Sequence, residues 1–120
     1  MEIRHKHSLS LCFTSLLFLA SQGLAQVTLP SQATPTFSIS FNSDTLDVAQ
    51  DGRLVLMLAT HDKQEPRFLV NTSAQTQLIF GLNVENWAVT SEVIIDKNAL
   101  GYPLKNLSSV PPGTYYAQAL

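Results

Sequence analysis

Residues 36–41 (TFSISF) alternate, with Phe37, Ile39 and Phe41 on one side and Ser38 and Ser40 on the other. A period of two marks a strand with one buried face. Residues 53–60 (RLVLMLAT) form instead a continuous apolar run between polar residues, directly after an Asp51-Gly52 turn signal. That pattern predicts a central strand covered on both faces. A short buried helix is the alternative, because Leu, Met and Ala also favour helix. Residues 61–66 (HDKQEP) read as a charged loop, and residues 67–70 as a short extended piece that Pro66 marks as an edge or a strand start. Residues 75–80 (QTQLIF) predict a short strand that ends at Gly81, with Leu82, Val84, Trp87 and Val89 spread through a loop-like polar stretch. Residues 92–96 (EVIID) are β-branched and strand-like. Residues 97–112 read as an ordered loop with one helical turn near 104–107. Residues 114–120 (TYYAQAL) predict a last strand, with Tyr115, Ala117 and Ala119 on one face and Tyr116, Gln118 and Leu120 on the other.

Short strands separated by frequent turns, with no long helical period, bury themselves by stacking two sheets. The expected fold is all-β, an immunoglobulin-like β-sandwich over residues 36–120, incomplete at its C-terminus. The incompleteness is expected because Leu120 falls inside the last strand pattern with no polar tail. An ordinary C-terminal edge strand is the alternative.

The beginning of the chain follows a different pattern. Arg4, His5, Lys6 and His7 form a basic cluster, residues 9–20 (LSLCFTSLLFLA) are almost wholly apolar, and Gly23-Leu24-Ala25 places small residues at a cleavage position. This order is that of a secretory signal peptide cut after Ala25. The apolar run has about 12 residues, whereas a stable transmembrane helix needs about 20, so no stable membrane anchor is expected after cleavage. An uncut anchor is the alternative. Cys12 lies inside the run after Leu11, which does not suit a lipid-attachment cysteine. Residues 26–35 (QVTLPSQATP) read as a linker or a loosely held lead-in strand. The expected location is therefore periplasmic or extracellular.

Composition narrows the chemistry. Beyond residue 25 there is no cysteine, so no disulfide can staple the domain. The cations there are Arg53, Lys63, Arg67, Lys97 and Lys105, scattered among eight carboxylates. Nucleic-acid binding needs clustered Lys and Arg, so no nucleic-acid partner is expected. The single histidine of that part, His61, stands in a charged loop, and no G-x-S-x-G elbow occurs. No catalytic residue, metal ligand or cofactor is assigned on this basis. Asp44, Asp47 and Asp51 share a loop but miss the calcium-loop spacing. Glu85 and Glu92 could form a carboxylate pair only if a cleft joined them. The glycines stand alone, without a phosphate-binding loop. Asn71-Thr72-Ser73 and Asn106-Leu107-Ser108 match the glycosylation sequon.

The aromatic residues are the best binding candidates. Trp87 in its half-polar stretch, Tyr102 between Gly101 and Pro103, and Tyr116 on the last strand could contact a ligand or an interface. Core or loop packing is the competing reading for each.

The segments DGRLVLML (residues 51–58), EPRF (65–68), QLIFGLNVENW (77–87) and ALGYPLKNLSSVPPGTYYAQAL (99–120) resemble the leader region of long exported bacterial proteins. Those proteins are mostly uncharacterised, and some are labelled esterases. The Pro-Pro-Gly-Thr-Tyr-Tyr stretch also resembles the last-strand signature of immunoglobulin-like modules. The resemblance implies a front β-domain of a longer protein, with any esterase serine, acid and histidine beyond Leu120. The expected function is a non-catalytic accessory or interaction module packed on a downstream domain of the same parent. A carbohydrate-binding module, or the front fragment of a serine esterase, are the alternatives.

Overall fold

The computed structural model describes residues 2–5, 24–29, 34–44 and 46–120. The apolar run 9–20 with Cys12, and the Gly23 of the cleavage motif, lie outside the described residues. The fold is all-β, with two antiparallel sheets. One contains β1 (Glu2–His5), β3 (Phe37–Ser40) and β6 (Val93–Ile95) in the order β1-β3-β6. The other contains β2 (Ala25–Leu29), β4 (Gln50–Ala59), β5 (Leu78–Trp87), β7 (Leu100–Tyr102) and β8 (Gly113–Ala119) in the order β2-β8-β4-β5-β7. Two antiparallel sheets are consistent with the β-sandwich expected from the sequence.

The apolar side of residues 36–41 is as expected, since Phe37, Ile39 and Phe41 join the core that Leu54, Leu56 and Leu58 of β4, Phe80 of β5 and Ala117 of β8 fill from the facing sheet, but Ser38 on the other side is buried too. The continuous apolar run is the central strand β4, paired with β5 on one side and β8 on the other. Its second face is covered as well, since Met57 and Ala59 are buried alongside Leu56 and Leu58. The lead-in stretch contributes β2, which pairs with β8 from Ala25↔Ala117 to Leu29↔Gly113. At the end of β8, Leu120 exchanges two backbone hydrogen bonds with Val55, at 2.8 and 2.9 Å.

Four local expectations are corrected. Residues 66–69 form a 3₁₀ turn, not an extended edge. Pro66 presets the backbone angle for a first helical position, and the Phe68 N–H donates to the Glu65 carbonyl at 2.9 Å. This segment touches β4 and β8. There the buried Gln118 holds it, donating from Nε2 to Glu65 Oε2 at 2.9 Å and accepting the Arg67 N–H at 3.1 Å.

The strand expected to stop at Gly81 runs on to Trp87, with Gly81 opposite Val55 in mid-sheet. Asp51-Gly52 is no turn. It lies within β4 at a bulge, where the register passes from Gln50↔Trp87 to Gly52↔Val84. Asn86 takes a left-handed backbone (φ 49°), and its N–H donates to Asp51 Oδ1 at 2.6 Å. The short polar side chain of Asn tolerates that conformation, and the Asp51 carboxylate satisfies the amide that the bulge frees. The turn expected near 104–107 falls at Leu107–Ser109.

Candidate functional site

A candidate site is a half-open pocket of about 500 Å³ at one end of the five-stranded sheet. Topology builds it from four segments. The C-terminal end of β4 supplies Leu58, Ala59 and Thr60, followed by His61. The start of β5 supplies Leu78, and the loop before it Asn71, Gln75, Thr76 and Gln77. The connection after β7 supplies Pro103 and Leu104, and β8 with its approach supplies Tyr115 and Pro111. Because β4, β5 and β8 are antiparallel neighbours, alternate ends of these strands meet on the same side and bring the four segments together.

The lining has two characters. Leu58, Leu69, Leu78 and Leu104, with Pro103 and Pro111, give apolar surface. Thr60, His61, Asn71, Gln75, Thr76 and Gln77 supply hydroxyl, imidazole and amide groups. No Asp, Glu, Lys or Arg stands among the described lining residues. A pocket of this kind suits a neutral group of mixed polarity, enclosing its apolar part and hydrogen-bonding its polar edge.

The loop residues are fixed by their own bonds. The Asn71 N–H donates to Thr76 Oγ1 at 3.0 Å, while Asn71 Oδ1 accepts the Ser73 N–H at 2.9 Å and the Ser73 hydroxyl at 2.6 Å. Gln77 Nε2 donates to the Pro66 carbonyl. The Tyr115 hydroxyl donates to the Pro111 carbonyl at 2.9 Å, which ties the start of β8 to the preceding loop. Burial pushes the Tyr115 hydroxyl pKa above its ordinary value.

The three aromatic candidates fall in different places. Trp87 is buried, packs edge-on to Phe41 and donates Nε1–H to the Ser91 carbonyl at 3.0 Å. Tyr102 is exposed on β7, beside pocket-lining Pro103. Tyr116 is half-buried on β8 opposite Ala59. Tyr102 pairs with Ile79 near the pocket end of β5, whereas Trp87 terminates the same strand. At about 3.3 Å per residue these two positions lie roughly 26 Å apart. Glu85 and Asn86 stand at the Trp87 end, so no single surface gathers them with Tyr102.

The other candidates are similarly placed. His61 is exposed on the pocket rim. Asp51 holds the bulge, while Asp44 and Asp47 are exposed. Among the described residues no group of three or more His, Cys, Asp or Glu could hold a metal ion, and no helix is long and apolar enough to cross a membrane.

The leucines of the pocket gave no signal in the sequence, since each reads as ordinary core. The prolines marked turns, but only the strand order reveals which turns meet. Comparison with known proteins adds no relative: no family model, no curated protein and no solved structure matches the chain.

Proposed function

We propose that the chain is the non-catalytic accessory module of an exported protein, an immunoglobulin-like domain that binds a neighbouring domain of the same parent through the pocket end of its larger sheet. The observation that carries this reading is the surface around the pocket. Phe68, Val70 and Tyr102 are exposed by 64, 46 and 49 %, and each is the chain neighbour of a residue that lines the pocket. Exposed apolar side chains around a concave, uncharged site are the usual make-up of a docking surface. The immunoglobulin-like assignment draws support from Tyr115, whose hydroxyl reaches the backbone four residues upstream. Sandwich domains of that class use the same tie at a strand corner.

The test is a titration by calorimetry of residues 26–120 against the polypeptide that follows them in the parent, produced separately. Val70→Asp and Tyr102→Asp change exposed side chains, so the fold is expected to survive and association to weaken about tenfold or more. Unchanged association in both variants, with folding intact, refutes the docking surface.

A further inference from the structure

Met57 and Ala59 are buried, yet neither belongs to the core between the sheets, which Leu54, Leu56 and Leu58 fill from the same strand. They lie on the outer face of β4, Met57 opposite Gln118 and Ala59 opposite Tyr116. The segment that reaches this face is the first half of the connection from β4 to β5. Its 3₁₀ turn, Pro66–Leu69, touches both β4 and β8.

We propose that residues 61–69 are a strap that opens and closes over the outer face of β4 while the two sheets stay folded, and that opening uncovers Met57 and draws Leu69 away from the pocket wall. This motion is independent of what docks at the pocket.

The strap is thinly anchored. Of residues 61–69 only Pro66 is buried, so little apolar surface holds the segment down. Among the described residues its hydrogen bonds to the sheet come from one side chain, Gln118, which donates to Glu65 Oε2 and accepts the Arg67 N–H. Gln77, just before β5, adds a bond to the Pro66 carbonyl, and Asn71 Nδ2 donates to the Leu69 carbonyl at 3.4 Å. No bond of the strap belongs to a strand ladder. Water can replace each of these polar ties, so each resists opening only weakly.

The strap's other bonds are internal and travel with it. The Phe68 N–H donates to the Glu65 carbonyl at 2.9 Å, Arg67 Nε meets Glu65 Oε2 at 2.8 Å, and the Arg67 guanidinium lies 4.7 Å from the Phe68 ring. When Gln118 lets go, Glu65 therefore keeps Arg67, and no charge is left without a partner. The following turn is closed separately by the Asn71 N–H on Thr76 Oγ1, so it can stay in place while the strap lifts. The whole connection, residues 60–77, has one 3₁₀ turn as its regular structure. Loops of that length are usually lids or binding loops, and such elements come from the low end of local stability.

The test is thiol labelling of the full chain. Cys12→Ser removes its one cysteine, and Met57→Cys or, as a core control, Ala117→Cys then supplies a single thiol. Labelling is followed at rising urea below the unfolding transition. The expected result is labelling of Met57→Cys about 100-fold or more faster than Ala117→Cys and nearly independent of urea, because strap opening exposes little surface. Adding Glu65→Ala, which takes an acceptor from Gln118, should raise the Met57→Cys rate about tenfold and leave the Ala117→Cys rate unchanged. A Met57→Cys rate that carries the urea slope of global unfolding overturns the proposal. So does a rate that Glu65→Ala leaves unchanged or speeds only as much as that of Ala117→Cys. Should a cysteine variant fail to fold, amide exchange of the unaltered chain decides. The Arg67 and Phe68 N–H groups are expected to share one opening of small urea dependence, and exchange of either through global unfolding alone overturns the strap.

Discussion

Phe41 and Trp87 meet edge to face across the two sheets, with ring centroids 4.9 Å apart and planes at 88°. Phe41 follows β3 and Trp87 ends β5, so this pair joins the smaller sheet to the larger one. The Thr90 N–H, donating to the Phe41 carbonyl at 2.9 Å, closes the same corner. Trp87→Ala removes a buried ring and leaves a cavity, with an expected loss of about 3–5 kcal/mol in denaturant unfolding. Trp87→Phe keeps an aromatic contact but leaves the Ser91 carbonyl without the indole donor, and an expected loss of about 1 kcal/mol. The native tryptophan emission should be blue-shifted and move to the red on unfolding.

Gln118 is a buried amide on the outer face of β8, and both of its ends are used. Gln118→Leu preserves bulk but strands the Arg67 N–H and removes a donor from Glu65. The expected loss is about 1–3 kcal/mol. Faster amide exchange confined to residues 65–69 would show that the 3₁₀ turn has come away, which a general loss of core packing would not produce.

How much of this was legible follows from the range of the forces involved. The period-two alternation of residues 36–41 and the apolar run of residues 53–60 report burial directly, so β3 and β4 could be read from the chain. The strand past Gly81 could not. Its polar residues Asn83, Glu85 and Asn86 resemble a loop, and only the pairing of Asn83, Val84 and Trp87 with β4 carries the strand through them. Asp51-Gly52 misled for the same reason: the dipeptide favours a turn locally, yet the bond from Asn86 gives it a place in a bulged ladder. Trp87 looked available for binding because its partner, Phe41, lies far away in sequence. The pocket was illegible because its leucines carry no mark of their own, and its shape depends on which strand ends share a side.

Two glycines of the larger sheet should respond differently to a methyl group. At Gly81 a Cβ would meet the Arg53 guanidinium at 2.6 Å, the far end of a flexible, exposed side chain. Arg53 can move aside, giving up its 2.8 Å bond to Asn83, and Gly81→Ala should cost under about 1 kcal/mol. At Gly101 the Cβ would strike the Leu104 carbonyl and the Phe80 ring, the latter at 2.5 Å. Phe80 is fully buried and cannot retreat. Gly101→Ala should cost about 1–3 kcal/mol, and thermal melts of the two variants side by side check the contrast.

Tyr115 sets an alkaline limit. Its hydroxyl pKa is raised above the ordinary 10.0 by desolvation, and its proton is held by the Pro111 carbonyl. Above pH 10 the unfolded chain releases this proton more readily than the folded one, so the unfolded state binds fewer protons and stability falls as pH rises. Below the unfolded value both states keep the proton, and the contribution is fully present. The melting temperature should therefore show no Tyr115-dependent slope between about pH 7 and 9 and a downward one above about pH 10. Tyr115→Phe should lower stability by about 1 kcal/mol at neutral pH through loss of the bond to Pro111, and should flatten part of the alkaline slope. Equal alkaline slopes in the two proteins would mean that Tyr115 ionises no differently in the fold than in the open chain.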